Sequence, residues 1–433
     1  MTPADTERIV IESGASGRID PADAPLRGGV VLLLDRDRRP ILLATTADAR
    51  AFLRRRLGAG SESSDQANAS AADQPRPGDR DGASSRASRS PQADLSAITD
   101  RVEFTPAGSG LEADLAFLRI ARERLPATWE ALTERWRAWF LHLDPAAANP
   151  VWRKTNLCDV AQPSRGDGAS MRALLATLVG PLPNKDAAGR FGEAIDDVFD
   201  LCRFPKELAL APRGTACAYK EMGKCPAPCD GSESIGSYRA RVGEALDALR
   251  RGAASRAEPI ERRMQEAAAR QDYAAAAGHK ASLDSLRSLE KPAFREARPL
   301  DVFRFVAIVG SGRVGWARAW GIDAFSCEAI GDLDGANAKA GVAMLGDAVG
   351  SWIERRRSAP PVALDPVLLA IVSRHLLAPQ AKRRGGFVRV ACPEQLDRDQ
   401  NGWFDPAQAA RHLRSAARTE TSDVAEFDRA TLV

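Results

Sequence analysis

Residues that commonly carry enzyme chemistry are scarce in this chain of 433 residues. It contains 7 cysteines, 4 histidines and 3 tyrosines, and only nine of its basic residues are lysine. The histidines are scattered, and none has the spacing of a triad or of a zinc motif such as H-E-x-x-H. The sequence therefore assigns no histidine a catalytic role.

Long apolar runs and a strong net charge are also missing. No apolar stretch approaches the ~20 residues needed to span a bilayer, and Met1 is followed by polar and acidic residues, unlike a secretory signal. We therefore expect a cytoplasmic protein with no membrane contact. The net charge of +3 is small, so it predicts no strong overall attraction to nucleic acid.

One segment lacks the residues that build a core. Between Gly58 and Asp94 there is no Ile, Leu, Val, Met or aromatic residue. Such a segment cannot bury enough apolar surface to offset the entropy lost on ordering. We expect residues 58–94 to form a disordered insertion.

Elsewhere, hydrophobic periodicity predicts an α/β multidomain protein of mixed α+β type. "GGVVLLLDRDRRPILLAT" is typical of a β-hairpin and "VEFTP" of a strand. Helices are predicted where Asp48 can cap a basic segment, in "GLEADLAFLRIARERL", and in "ATWEALTERWRAWFLHL" with its tryptophans in the core. Further along the chain, Asp272 separates two helices with small facing residues, which indicates an αα-hairpin.

A glycine-rich stretch near the C-terminal third has two interpretations. "GSGRVG" at residues 310–315 matches the dinucleotide-binding spacing G-x-G-x-x-G. That fingerprint needs a strand before the loop and a helix after it. Here strands are predicted on both sides, so we favour a hairpin turn.

Four cysteines have the placement of metal ligands: Cys202, Cys217, Cys225 and Cys229. Thiolates suit zinc or an iron–sulfur cluster. Zinc sites usually contain two closely spaced pairs, whereas only "CPAPC" is such a pair here, which favours iron–sulfur. Zinc and an unrelated grouping of cysteines remain the alternatives.

The cysteine region resembles that of UvrC, the nuclease subunit of the bacterial excinuclease of nucleotide excision repair. "CAYKEMGKCPAPC" at residues 217–229 is similar to that family's C-L-x-Y-x-I-x-R-C-x-A-P-C, and Cys202 takes the place of its upstream cysteine. The resemblance implies a [4Fe–4S] cluster on the four cysteines. "VGPLPNKDAAGRFGEAIDDVFDLC" is similar to the segment that precedes the first cysteine in the family.

A second resemblance follows the cysteines. "MQEAAARQDYAAAAGHK" is similar to the UVR motif, M-x-x-A-A-x-x-x-D-F-E-x-A-A, which pairs with a UvrB subunit. Ala274 replaces the usual acid after the aromatic residue, and Ala281 replaces an aspartate. The resemblance implies binding to a UvrB-like partner through Met264, Ala268, Tyr273 and Ala277.

The N-terminal region is similar to a GIY-YIG nuclease domain whose catalytic set is depleted. "GVV" at residues 29–31 and "LLA" at residues 42–44 stand where the family has its two tyrosine motifs. Phe117 stands where the magnesium-binding glutamate belongs, and only Arg50 is retained. Because phosphodiester hydrolysis there needs a metal and a group that activates water, we expect nuclease activity to be lost.

The final third is only faintly similar to the start of the family's RNase H-like half. Asp301, Asp323 and Asp332 are available carboxylates, but their spacing marks no metal pair, and we interpret them as turn and strand-end residues. We expect the C-terminal helix-hairpin-helix part of the family to be lacking.

Together these interpretations predict domain boundaries. They are a flexible N-terminus at 1–26, a GIY-YIG-like domain at 27–126 with its insertion, a helical module with the cysteine cluster at 127–250, a UVR-like hairpin at 256–292, a C-terminal α/β unit at 299–415 and a tail at 416–433.

The expected function is that of a UvrC-like protein of nucleotide excision repair with a structural iron–sulfur cluster. DNA contacts, mainly to phosphate, are expected from six basic residues: Arg50, Arg54, Arg55, Arg56, Lys220 and Lys224. In an arginine-rich chain, the basic helix is equally consistent with a solvated face. The alternatives are an active DNA endonuclease and a non-enzymatic interaction module with a zinc site.

Overall fold

The computed structural model describes residues 8–14, 18–58, 93–164, 167–252, 255, 257–359, 363–379, 384–391, 403–418 and 429–432. These residues form 13 α-helices and three antiparallel sheets, which confirms the mixed α+β fold class. Most of the insertion predicted at 58–94 lies outside the described residues. No described helix combines the length and the apolar character that crossing a membrane requires.

The chain divides into two compact units. Unit 1 comprises Met1–Thr133, Gly310–Val314 and Thr419–Val433, and unit 2 comprises Glu134–Val309 and Gly315–Arg418. This division is coarser than the six predicted segments, whose boundaries stay predictions.

Unit 1 is built on a five-stranded sheet in the order β1-β4-β2-β3-β13. The strands are β1 (Ile9–Glu12), β2 (Gly29–Leu34), β3 (Pro40–Thr46), β4 (Arg101–Pro106) and β13 (Arg429–Leu432). Strands β2 and β3 pair antiparallel as a hairpin, as predicted. The helices are α1 (Ala49–Arg56), α2 (Gly110–Arg124) and α3 (Trp129–Thr133).

Helices α1 and α2 begin where the sequence supplies caps. The Asp48 carboxylate accepts a hydrogen bond from the Ala51 N–H, which confirms the predicted cap of α1. Ser109 caps α2, and the Glu112 carboxylate accepts from the Gly108 N–H at 2.7 Å, as in a capping box. Both helices pack against the sheet.

Two strands, β1 and β13, lie in segments where the sequence predicted none. Strand β1 lies within the predicted flexible segment 1–26 and pairs with β4, because Ile11 joins the core of unit 1. Strand β13 lies within the predicted tail 416–433 and pairs with β3. Pairing with a distant strand leaves little local signal in the sequence, which is why both strands were missed.

In unit 2, a four-stranded sheet in the order β6-β5-β7-β8 supports the cysteine region. Its strands are β5 (Trp139–His142), β6 (Arg153–Thr155), β7 (Leu178–Leu182) and β8 (Arg298–Pro299). The module predicted as helical at 127–250 is therefore mixed. The single helix predicted in "ATWEALTERWRAWFLHL" is wrong, because α3 ends at Thr133 and Trp139–His142 pairs with β7 instead.

The helices of this part of unit 2 are α4 (Gly168–Thr177), α5 (Lys185–Phe199), α6 (Pro205–Leu208), α7 (Ala218–Glu221), α8 (Ile235–Arg251), α9 (Ala257–Ala269) and α10 (Tyr273–Ser288). Helices α9 and α10 pack together as the expected αα-hairpin. Its turn is made by Gln271 with a positive φ of 60°, and Asp272 caps α10.

The last part of unit 2 contains a sheet in the order β11-β10-β9-β12. Its strands are β9 (Phe305–Gly310), β10 (Trp316–Ile322), β11 (Cys327–Asp334) and β12 (Gly386–Arg389), and its helices are α11 (Ala338–Ser358), α12 (Pro366–Leu377) and α13 (Pro406–Ala416). The "GSGRVG" stretch joins β9 to β10 with Gly312 at φ 75°, so the predicted hairpin turn is confirmed.

Candidate metal centre

Cys202 is held at the point where α5 ends. The helix stops at Asp200, whose φ of 51° and ψ of 44° turn the chain into the left-handed region. The Cys202 N–H then donates to the buried hydroxyl of Tyr238 on α8 at 3.2 Å. This contact fixes a buried thiol against the core of unit 2, which includes both Cys202 and Tyr238.

Cys225 and Cys229 lie on a tight loop that the prolines and one strained residue shape. Ala227 has φ 58° and ψ 64°, a conformation that costs a residue with a β-carbon roughly 1–2 kcal/mol. A short 3₁₀ helix follows at Pro228–Asp230 and ends at Gly231. Both cysteines are buried, so the loop turns its thiols inward.

The chain between Cys202 and Cys217 folds back onto the loop that carries Cys225 and Cys229. Helix α6 packs against the 3₁₀ helix, and the Gly214 N–H donates to the Cys229 carbonyl at 2.8 Å. Cys217 is half-buried at the first turn of α7, and Cys229 Sγ lies 3.5 Å from the Thr215 carbonyl oxygen. Two backbone segments thus converge on one group of thiols.

The four thiols are close enough to influence one another. Those of Cys202 and Cys225 share a hydrogen bond, which lowers the pKa of Cys225 to about 6 and raises the pKa of Cys202. Cys229 interacts electrostatically with Cys225 and Cys217, while burial raises the pKa of its own thiol. These interactions link the thiols in pairs, and their assignment as ligands of one metal centre stays a prediction.

Two arginines provide positive charge beside Cys225. Arg203 and Arg241 both lower the pKa of that thiol. The Arg203 guanidinium donates to the Lys224 carbonyl at 3.4 Å and pairs with Asp197, and Arg241 donates to the Asp200 carbonyl at 3.2 Å and pairs with Glu233. A buried thiolate costs less free energy next to such charges.

Four thiols are the type and number of donors that an iron–sulfur cluster uses. Within the described ranges, no three His, Cys, Asp or Glu side chains stand close enough together to bind one metal ion. A [4Fe–4S] cluster would need one thiolate for each of its four irons. Cys202, Cys217, Cys225 and Cys229 are the residues that would hold it.

A family model matches this region of the chain. Residues 159–248 match the family model described as "UvrC/Cho excinuclease, middle domain". The matched residues run from just before α4 to the last turns of α8 and include all four cysteines. This match supports a relationship of the chain with the UvrC family.

The other two comparisons gave no further relative. No curated protein matches the chain significantly, and no solved structure does.

The predicted basic helix does not present all its arginines alike. Arg54 and Arg55 are exposed on α1. Arg50 is half-buried and its Nε–H donates to the Ala24 carbonyl at 2.8 Å. Arg56 is buried, and its guanidinium carbon lies 5.9 Å from the centre of the Phe52 ring. DNA contact by these residues stays a prediction, and exposure favours Arg54 and Arg55.

The two predicted lysines lie on the cysteine module. Lys220 Nζ donates to Asp230 Oδ2 at 2.7 Å and to Ser232 Oγ at 2.6 Å, so its charge is partly neutralised. Lys224 is exposed, and its N–H donates to the Tyr219 carbonyl at 2.9 Å. Lys224 is therefore the better placed of the two for an external anion.

The residues at the positions that the resemblance assigns to a nuclease motif are core residues. Val31 and Leu42 are fully buried and belong to the same hydrophobic cluster, together with Phe104. Phe117 is fully buried on α2, which packs against β2 and β3. These apolar side chains stabilise the sheet and offer no ligand for a metal.

The UVR-like hairpin exposes most of its predicted partner surface. Tyr273 is 70% exposed at the start of α10, and Ala268 and Ala277 are exposed as well, whereas Met264 is half-buried. Ala267, Leu283 and Leu286 are buried, and Leu286 belongs to the core cluster that contains Cys202 and Tyr238. An exposed tyrosine flanked by small residues is a suitable binding surface.

The three C-terminal aspartates do not form a site. Asp301 pairs with Arg250 at 2.9 Å, Asp323 with Arg356 at 2.6 Å and Asp332 with Arg318 at 2.7 Å. Asp323 also accepts from the N–H groups of Phe325 and Ser326 in a turn. They form separate structural ion pairs rather than a metal pair.

Sequence reasoning missed the residues that surround the thiols. Tyr238, Arg203 and Arg241 have no recognisable spacing relative to the cysteines. Arg203 directly follows Cys202, and that adjacency was the only available signal. The other two are on α8 and reach the cysteines only through packing.

Proposed function

We propose that this protein is a UvrC-like factor of nucleotide excision repair that binds DNA and a UvrB-like subunit, carries a structural [4Fe–4S] cluster and has lost GIY-YIG nuclease activity. The observation that carries the proposal is the convergence of four thiols within the segment that matches the UvrC/Cho excinuclease middle domain.

A structural role for the cluster follows from how little else holds the loops. Residues 203–232 contain three short helices of three or four residues, and Phe204, Leu210 and Met222 are exposed rather than packed. Ligand binding by four residues of such a segment contributes directly to its folding free energy. When bound, the cluster would crosslink the end of α5 to the loop around Ala227.

Loss of nuclease activity is supported by the chemistry of unit 1. The positions of two tyrosines and a carboxylate hold Val31, Leu42 and Phe117, all buried. The nearby buried carboxylate of Glu103 is neutralised by arginines, with Arg8 at 3.1 Å and Arg124 at 3.3 Å. Magnesium needs oxygen ligands that are free to coordinate it.

The metal content of the native protein is the experiment that tests this proposal. Protein purified anaerobically is analysed for iron, sulfide and zinc, and its visible absorption is recorded. We expect four irons and four sulfides per chain, with a brown protein that bleaches on reduction.

A colourless protein with one zinc would replace the cluster by a zinc site and favour an interaction module. A protein without metal would refute both. Binding of duplex DNA and of a purified UvrB subunit, measured on the same preparation, tests the repair assignment separately from the identity of the metal.

A further inference from the structure

An aromatic and cationic surface adjoins the cysteines. It consists of Phe204, Tyr219, Arg203 and Lys224, which we call the aromatic platform. Phe204 is two residues from Cys202, and Tyr219 is two residues from Cys217. The centres of the two rings lie 6.0 Å apart with their planes at 51°.

The guanidinium group of Arg203 also belongs to the platform, because it lies over the Tyr219 ring. Its central carbon lies 4.4 Å from the centre of the Tyr219 ring, and its ion pair with Asp197 and its hydrogen bond to the Lys224 carbonyl hold it there. Tyr219 is thus in contact with both an arginine and Phe204. Because the Tyr219 ring is already held in place, little further conformational entropy is lost when a ligand stacks against the neighbouring Phe204 ring.

Phe204 is oriented toward solvent although it is a large apolar residue. It is 44% exposed, and it stands immediately before α6, where a polar residue would usually cap a helix. An exposed ring on an ordered loop is typical of a binding surface.

The charge around the platform is concentrated. Residues 203–224 contain five Lys or Arg and two Asp or Glu. Arg203 pairs with Asp197 and Lys220 with Asp230, which leaves Lys206, Arg213 and Lys224 as the basic residues outside these ion pairs. Lys206 and Lys224 are exposed. An exposed aromatic ring beside basic side chains can bind a polyanion that also contains planar rings, because the ring stacks and the basic groups attract the negative charge.

We propose that the aromatic platform stacks an unpaired nucleobase of DNA, with Phe204 as the stacking surface and Lys224 bound to a neighbouring phosphate. The inference rests on the proposed DNA-binding function and names its substrate class, a strand whose base is unstacked. Duplex DNA keeps its bases stacked inside, so only single-stranded or distorted DNA offers a free base. Stacking on aromatic rings with support from arginine is how sequence-tolerant single-strand binding is achieved.

The test compares single-stranded with duplex DNA. Anaerobically purified protein is titrated against a labelled oligothymidylate and a labelled hairpin duplex of equal nucleotide number, and fluorescence anisotropy gives both affinities. We expect Phe204→Ala to weaken single-strand binding by about 5- to 100-fold and to leave duplex binding within about twofold.

Leu210→Ala is the matched control, because Leu210 is an exposed apolar residue of the same module, at 57%. It should change neither affinity. Lys224→Ala should make the plot of the logarithm of the single-strand association constant against the logarithm of salt concentration less steep, by about 0.7 in slope. Thermal unfolding and metal content of each variant establish that folding is intact.

Equal single-strand affinities for Phe204→Ala and Leu210→Ala would refute the proposal that Phe204 stacks an unpaired base. So would a loss of UvrB binding in Phe204→Ala with single-strand binding intact, since the surface would then dock a protein. A wild-type chain that binds duplex but no single strand refutes the inference alone. A chain that binds no DNA of either kind refutes the proposed function as well.

Discussion

At the residue scale, the positions with the most consequence are the thiols that share a hydrogen bond. Cys225 is buried on a strained loop, and Cys202 is fixed by Tyr238. A ligand fixed before the metal arrives loses less entropy on binding it.

We expect Cys225→Ser to lose most of the bound iron, because one corner of the cluster would lack its thiolate. Iron analysis and visible absorption after anaerobic purification measure the loss. Cys158→Ser is the control, since Cys158 is exposed and lies outside the group of four. Equal iron in both variants would contradict the assignment of Cys225 as a ligand.

Asp196 gives a second prediction at this scale. Burial raises its pKa to about 7, although the Trp152 Nε1–H donates to its carboxylate at 3.0 Å. Between pH of about 4 and 7 the folded state holds a proton that the unfolded state releases. The free energy of unfolding therefore falls as pH rises through this window.

Asp196→Asn keeps an acceptor for Trp152 without the charge. Since one pKa unit corresponds to about 1.4 kcal/mol, we expect the variant to be more stable at pH 8 by on the order of 1–4 kcal/mol. At pH 4 it should match the wild type. Denaturant unfolding at both values checks this, with exposed Asp186→Asn on the same helix as control. A gain that is the same at both values would point to packing rather than charge.

At the element scale, the hairpin of α9 and α10 separates a buried side from an exposed one. Leu283 and Leu286 are buried, whereas Tyr273 is exposed to solvent directly after the Asp272 cap. Stability and partner binding should therefore depend on different residues of the same hairpin.

We expect Tyr273→Ala to weaken binding to a UvrB subunit by about tenfold, which is typical of an interface tyrosine, and to leave thermal stability unchanged. Leu283→Ala should instead lower the free energy of unfolding by about 2–5 kcal/mol. Calorimetric titration and thermal unfolding distinguish the two. Unchanged affinity in Tyr273→Ala would remove this face from the interface.

Elements also show where sequence periodicity was sufficient and where it failed. The β2–β3 hairpin, α1 with its Asp48 cap, and the α9–α10 pair follow from local signals. "WFLH" at residues 139–142 was predicted as helix and is a strand, because its pairing partner β7 lies some forty residues further along the chain. Local patterns cannot report such distant pairing.

At the scale of the whole molecule, unit 1 holds buried apolar side chains at the positions where the resemblance would place metal-binding and water-activating groups. Arg50, the retained residue, donates to the Ala24 carbonyl. A structural hydrogen bond is thus sufficient to account for its presence.

We expect no nicking of damaged or branched DNA with Mg²⁺ or Mn²⁺, because no aligned carboxylate is available to bind the metal. Gel analysis against an active GIY-YIG nuclease checks this, and Arg50→Ala should be indistinguishable from the wild type. Cleavage that disappears in Arg50→Ala would show that the unit is an active endonuclease.

The sequence by itself determined the identities and spacing of the four cysteines and the helix caps. It also determined that Val31, Leu42 and Phe117 are apolar where the resemblance would place nuclease residues. All of these are properties of short segments. Tertiary structure alone decided which thiols share a hydrogen bond, that Arg203 and Arg241 lie beside Cys225, and that Phe204 is exposed next to Tyr219. Those relations arise when α5, α6 and α8 pack together, and packing between distant segments has no signature in any one of them.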